Sequence, residues 1–290
     1  MKILVIGGTR FFGVPMVKKL IADGHEVTLA TRGQHKDTFG SAVLRIVMDK
    51  TDESSVKAAL CGKRFDAVID KVAYSSNDVR SLLRHARCGR YIQMSSCAVY
   101  QSAHTGIAED EFDAKSFPLQ WLDRPSDYAL GKRLAERAAL EFMDEKNCVF
   151  VRFPVVLGEN DYTGRLAFYA QHICMGLPMC IENPDVQCSY IHQTQAGEFI
   201  AKLADTDISG AVNGCSVGTV SQREIVSCIE KISGRQAIFS PSGDKAPYDD
   251  TASDTSYDCT KAESTGFAFE QINSYLYALL GRESEKFKNN

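Results

Sequence analysis

The chain opens with a short apolar run, Lys2–Ile6. It meets Gly7-Gly8-Thr9-Arg10-Phe11-Phe12-Gly13, and an amphipathic stretch follows to Asp23. No other feature restricts the fold as tightly. The run reads as a buried strand. Val14, Val17, Leu20 and Ile21 fall on one side of a helix over Phe12–Asp23, which Gly24 ends by tolerating positive φ. Strand, glycine turn and helix in that order open a βαβ unit, in which Gly7 permits the tight turn and Gly13 lets helix and strand approach closely. The free N–H groups and positive dipole end of that helix point at whatever lies over the turn, which suits a pyrophosphate. The segment is therefore expected to be a dinucleotide site.

The alternation continues. Strands are expected at Glu26–Ala30, Val43–Met48, Ala67–Asp70, Tyr91–Ser95 and Cys148–Phe153, the last closing at Pro154. Helices are expected near 53–61 and 76–87, with a long one from Ser126 to Lys146 opened by Pro125-Ser126-Asp127. Repeated β-α-β units imply an α/β fold of the Rossmann type, a doubly wound parallel sheet with helices on both faces. Beyond Pro154 the pattern breaks into short helices, single strands and polar loops, including the turn-rich stretch Ser240–Ser256 and the polar tail Arg282–Asn290. Residues 1–155 are thus expected to form the dinucleotide-binding domain. Residues 156–290 form mainly a smaller C-terminal substrate-binding lobe, with parts near 187–216 returning to the sheet.

Two positions bear on the choice of cofactor. Arg10 stands where a middle glycine is usual, so its side chain projects beside the phosphates. The second strand runs into Thr31-Arg32-Gly33, where an NAD-selective protein places an acid against the ribose hydroxyls. Thr31 with Arg32 favours a 2′-phosphate, which a guanidinium grips bidentately, so NADP is preferred over NAD. The plainer alternative makes Arg32 a solvated turn residue and lays Arg10 over the adenine face. Asp49, followed by Lys50 after the third strand, suits either the adenine amine or an ordinary helix cap.

Composition excludes more than it selects. A formal net charge of −4 over 290 residues makes no field that attracts nucleic acid or an anionic membrane. No apolar run reaches the length of a membrane span, and MKILVI is too short for a signal peptide, so a cytoplasmic location is expected. The ten cysteines contain no C-x-x-C pair and no histidine at ligand spacing, and several, such as Cys148 beside Val149–Val151, sit among apolar neighbours. Reduced, buried thiols are expected, with no metal site.

The glycine turn, Asp49, the strand end Ser95-Ser96-Cys97-Ala98-Val99-Tyr100 and the helical Tyr128-Ala129-Leu130-Gly131-Lys132 together resemble the extended or atypical short-chain dehydrogenases/reductases, in their NAD-dependent epimerase/dehydratase group. Val151-Arg152-Phe153-Pro154 with Gly158, Tyr190-Ile191-His192, and Ala211-Val212-Asn213 before Ser221 and Glu224 extend the likeness over nearly the whole chain. The resemblance implies a cofactor held by Gly7, Thr9, Arg10, Phe11, Phe12 and Gly13. It adds Thr31, Arg32, Asp49 and Lys50 towards the adenosine, and Tyr128, Lys132, Phe153 and Pro154 towards the nicotinamide. By the strand-end motif Ser96, rather than Ser95, is the catalytic serine. Dimers are frequent in the group, so a homodimer is expected.

The chemistry also follows from the residues. Tyr128 and Lys132 are four apart on one helix face. A nearby ammonium stabilises tyrosinate, so Tyr128 can serve as general acid or base on a substrate hydroxyl while hydride moves. Ser96 orients the reacting oxygen. Sugar dehydratases of the group carry an Asp-Glu pair just after the strand-end serine or threonine; Cys97 and Ala98 stand here, which disfavours dehydration. Epimerase and reductase both remain, acting on a hydroxyl or ketone, with a nucleotide sugar as a candidate substrate. Arg165 is a candidate for a substrate phosphate, with a loop cap against Asp161 as the plainer alternative. Trp121 reads as an apolar anchor. Some atypical members are non-catalytic, chloroplast RNA-binding relatives among them. A nucleotide-sensing or RNA-binding protein is therefore the alternative, against which stand the complete triad and the negative charge.

Overall fold

The computed structural model describes residues 1–247 and 252–288. Its first half alternates β1 (Lys2–Ile6), α1 (Gly13–Ala22), β2 (Glu26–Thr31), β3 (Val43–Val47), α2 (Glu53–Leu60), β4 (Arg64–Asp70), α3 (Ser76–Leu83), β5 (Arg87–Met94), α4 (Tyr128–Ala139) and β6 (Cys148–Arg152). The second half begins with β7 (Val155–Leu157), α5 (Arg165–Met175), β8 (Pro178–Cys180), β9 (Gln187–Cys188), β10 (Tyr190–His192), α6 (Gln193–Leu203) and β11 (Gly210–Asn213). It ends with β12 (Val220–Ser221), α7 (Gln222–Ser233), β13 (Ile238–Phe239), β14 (Asp244–Lys245), α8 (Thr260–Glu263) and α9 (Leu276–Glu285).

Seven parallel strands form one sheet in the order β11-β6-β5-β4-β1-β2-β3. The order reverses between β1 and β4, whose ends lie side by side with Ile6 opposite Asp70, and a crevice at such a reversal is where open parallel sheets bind ligands. Strand residues buried on both sides feed two apolar layers. On one face Met16, Val17 and Leu20 of α1 join Phe199, Ile200 and Leu203 of α6. On the other, Val56 and Leu60 of α2, Val79 and Leu82 of α3, and Ala135 and Ala138 of α4 close the core. α6 comes so near α1 that a Cβ at Gly197 would lie 2.5 Å from the Phe12 carbonyl oxygen. A third cluster, built on Tyr169 and Ile173 of α5, Ile225 and Ile229 of α7 and Leu276 and Leu280 of α9, is the core of the smaller C-terminal lobe.

Helix ends differ from the expected ones for local reasons. Asp127 caps α4 by accepting from the Leu130 N–H at 3.1 Å, so the helix starts at Tyr128 rather than Ser126. It stops near Leu140 instead of Lys146 because the chain turns there, and Phe142 and Met143 pack back against the core. α3 ends at Leu83, since Arg87 already belongs to β5, which starts four residues before the expected Tyr91. Gly24 takes φ of +82°, as a helix-ending glycine should. Within the turn-rich stretch Ser240–Ser256, residues 248–251 lie outside the described residues, as do 289–290 of the polar tail. All ten cysteines are free, with Cys97, Cys148, Cys174 and Cys215 buried. Among the described residues no helix is long and apolar enough to cross a membrane.

Candidate functional site

The glycine turn leaves β1 and enters α1 at the reversal of strand order. Gly7 and Gly8 have φ of +83° and +112°. A Cβ at Gly13 would stand 2.6 Å from the Gly8 Cα, so this helix cannot approach the turn with any side chain at that position. Gly8, which the sequence reading passes over, is equally confined: a Cβ there would meet Val5 and Val17 at 3.1 Å each. Positive φ also falls on Phe11, at +54°. It does not fall on Arg10, which explains why arginine replaces the usual middle glycine without backbone strain. The N–H groups of Phe11 and Phe12 have no acceptor among the described residues, the condition expected of a helix start that holds an anion. These features fit a dinucleotide pyrophosphate.

The side chain of Arg10 is exposed, and its guanidinium lies 3.9 Å from the ring centroid of Tyr162, which comes from the C-terminal lobe. The same ring meets Phe11 edge-on at 6.2 Å. A cleft of ≈ 520 Å³ opens between Thr9–Phe11, Lys36–Phe39 and Glu159–Tyr162. Thr31 ends β2 and accepts from the Gly33 N–H at 3.2 Å; Arg32 is exposed and makes no hydrogen bond or ion pair among the described residues. Asp49 accepts from the N–H and the hydroxyl of Thr51, which hold its carboxyl below the usual range with help from the Arg32 charge. The cap of α2 is Asp52, not Asp49. The Lys50 ammonium is buried in an ion pair with Asp70, which also accepts from the Tyr91 hydroxyl at 2.8 Å and the Val72 N–H at 3.1 Å. The strand-end acid Asp70, an unusual residue to close an apolar run, was the missed signal.

Lys132 reaches past the ends of β4 and β5 with Tyr128 beside it, and Ser96 lies two residues beyond the end of β5. Lys132 is 2% exposed, and its ammonium donates to the carbonyls of Ala73 and Met94, both at 2.9 Å. An ammonium has three protons, so one donor remains. The ammonium lies 5.6 Å from the Tyr128 ring centroid and 4.6 Å from that of Tyr74. Burial lowers the Lys132 pKa to about 7, with Lys50 and Lys71 adding repulsion and Asp70 and Glu136 opposing it. Tyr128, in the first turn of α4, is 46% exposed. The neighbouring serines are used differently. Ser95 is fully buried and donates to Glu136, whereas Ser96 is half-buried and caps the following short turn, accepting from the Ala98 N–H at 3.2 Å.

A buried network underlies this arrangement. Glu136, one turn beyond Lys132, pairs with Arg152 through contacts of 3.0 and 2.7 Å. Arg152 then reaches the Tyr100 hydroxyl at 3.1 Å and the carbonyls of Glu109 and Phe112 at 2.8 and 3.0 Å, pinning the long connection before α4. The i, i+4 spacing of Tyr128, Lys132 and Glu136 was the available sign. Phe153 points into the core, 6.2 Å from Phe199, and Pro154 is half-buried; the Phe153 carbonyl accepts from the Cys97 N–H at 2.9 Å. Arg165 is held by Asp161 at 2.8 Å in an i, i+4 pair that closes the lobe loop, the plainer of its two readings. Trp121 packs on Phe142 beneath Arg80.

Residues 3–177 match a family model described as the NAD dependent epimerase/dehydratase family. The chain is 27% identical over 206 residues to the chloroplast stem-loop binding protein of 41 kDa b of Arabidopsis thaliana, covering 66% of this chain and 51% of that one. It is 26% identical over 216 residues to the 2'-dehydrokanamycin reductase of Streptomyces kanamyceticus, covering 71% and 59%. The chain thus spans a little over half the length of the curated relatives it matches. Among solved structures, the UDP-glucose 4-epimerase of Thermotoga maritima with UDP-glucose superposes with a TM-score of 0.75 at 18% identity, covering 100% of this chain and 99% of that one. The UDP-glucuronic acid 4-epimerase of Bacillus cereus in complex with NAD gives 0.73 at 18% identity, covering 100% and 97%. At such identities the likeness is one of fold.

Proposed function

The chain belongs to the NAD dependent epimerase/dehydratase family of enzymes, and from that premise we propose that it is an NAD(P)-dependent oxidoreductase or epimerase acting on a hydroxyl or ketone, with a nucleotide sugar as the substrate class. The observation that carries this reading is the buried Lys132 ammonium beside the Tyr128 ring, at the end of the strand that leads into Ser96, together with a glycine turn with free N–H groups. Phe11, Phe12, Gly7, Gly8 and Gly13 hold the pyrophosphate, and Thr9 and Arg10 flank it. A bound nicotinamide supplies hydride transfer to or from the substrate carbon. Tyr128 moves the proton at the substrate oxygen, Lys132 stabilises tyrosinate and offers its third donor to the ribose, and Ser96 fixes the oxygen. Cys97 and Ala98 carry no acid or base for water elimination, which sets dehydration aside.

NADP is the proposed preference. Arg32 stands exposed just past the end of β2, makes no ion pair among the described residues, and has Thr31 rather than an acid before it to engage ribose hydroxyls. Titration of the purified protein with NADPH and with NADH, followed by native mass spectrometry of the protein as isolated, tests both points. An empty site that takes up NADPH indicates a reductase, and retained NAD indicates an epimerase cycle and removes the NADP preference. Tyr128→Phe should abolish turnover of a substrate found in a panel of nucleotide sugars; unchanged turnover refutes the assigned role. The likeness to the stem-loop binding protein favours a second reading, RNA binding. RNA retention that weakens steeply with salt, in a protein that takes up neither dinucleotide, would establish it instead.

A further inference from the structure

Lys71 is the first residue beyond β4, and its N–H donates to the Ile6 carbonyl at 3.2 Å, which sets it against the end of β1 at the reversal of strand order. Its Cβ is 3.7 Å from the position a Cβ would take on Gly7. The side chain therefore runs along the glycine turn, and its ammonium ends 4.2 Å from the centroid of the Phe12 ring, at the start of α1. It makes no hydrogen bond or ion pair among the described residues. The neighbouring acid on its own strand, Asp70, faces the opposite layer and is committed to Lys50 and Tyr91. Arg10 on the glycine turn and Lys132 on α4 are cations close enough to Lys71 for mutual repulsion. The acids of the lobe loop are engaged elsewhere, Asp161 with Arg165 and Glu159 with Gln193 and Arg282.

Two cations beside a cluster of free N–H groups, one of them a partly buried lysine with no counter-charge among the described residues, form an arrangement that costs free energy until an anion enters. We propose that Lys71 binds the dinucleotide pyrophosphate from the β4 side, opposite Arg10, so that this chain grips the phosphates between two side-chain cations as well as by the turn. The inference rests on the dinucleotide reading above and adds a contact that the glycine motif does not contain. Arg10 keeps its orientation by stacking on Tyr162, so the two cations approach from different sides.

Burial, and then Arg10, lower the Lys71 pKa to about 8. A phosphate favours the charged form, so the Lys71 contribution to affinity should be level below pH 8 and fall as pH rises above it. The test is calorimetric titration with ADP-ribose, which carries the pyrophosphate and no nicotinamide, between pH 6.5 and 9.5. Lys71→Met should weaken binding roughly tenfold to a hundredfold at pH 7, the loss expected for one charge-assisted contact, and should flatten the fall above pH 8. Lys71→Arg should retain most of the affinity and lose the pH dependence, which a merely structural lysine would not produce. Wild-type affinity and an unaltered pH profile in Lys71→Met overturn the inference and leave the dinucleotide reading standing. A wild-type protein that binds neither ADP-ribose nor NAD nor NADP overturns both.

Discussion

Replacing Glu136 by Gln isolates one electrostatic contribution to the scaffold. The carboxylate and the Arg152 guanidinium are 0% and 1% exposed, and they meet bidentately at 3.0 and 2.7 Å. Burial pulls the Arg152 pKa down, but Glu136 outweighs it and the net direction is up. An arginine does not shed its proton, so in Glu136→Gln the charge stays buried without a counter-charge, solvated by the Tyr100 hydroxyl, two backbone carbonyls and the one amide oxygen that glutamine keeps. Breaking one partner of such a pair costs about 3–5 kcal/mol, a large share of a typical domain stability of about 5–15 kcal/mol. At about 2–4 °C per kcal/mol for a chain of this size, Tm falls by about 6–20 °C. Urea unfolding at pH 7 followed by circular dichroism measures the loss, and Glu136→Leu/Arg152→Met should be more stable than Glu136→Gln because neither charge is left. A Glu136→Gln protein within about 1 kcal/mol of wild type, roughly the error of the extrapolation, would refute the uncompensated charge.

Gly131→Ala sets two effects against each other: alanine gains about 1 kcal/mol in a helix, but its Cβ would lie 2.5 Å from the Tyr74 carbonyl oxygen. Backbone cannot swing aside, so we expect a net loss of about 1–2 kcal/mol and reduced kcat/KM as Lys132 leaves the Ala73 carbonyl; a stabilised, fully active variant contradicts this. Arg32→Ser should raise the Kd for NADPH about tenfold or more and leave that for NADH within about twofold, as losing a charge-assisted contact to one phosphate predicts; equal changes for both dissociate Arg32 from the 2′-phosphate. For pH, Lys132 is held at about 7 in the fold against 10.5 ordinarily, so between these values the unfolded chain binds the extra proton and stability rises with pH. Lys132→Met should lose that rise between pH 7 and 9, and a parallel rise in both proteins would count against it.

Periodicity and glycine placement were enough to read the opening βαβ unit, the parallel sheet and the smaller lobe, because each depends on residues close together in the chain: the apolar strand, the turn, the 3.6-residue repeat of α1. The Tyr128–Lys132 spacing is local in the same sense, since four residues on a helix share a face whatever surrounds it. Partner choice across the fold was not legible. Lys50 sits beside Asp49 in sequence, yet it pairs with Asp70, twenty positions away; and Arg10 stacks on Tyr162 from another lobe. Ser95 and Ser96 look alike as a dipeptide, and only the approach of Glu136, forty-one residues on, takes up the hydroxyl of the first. A charge or hydroxyl is drawn to whichever partner the packed layers bring within about 3 Å, and that distance is set by the sheet order and helix contacts of the whole chain, not by any segment of it.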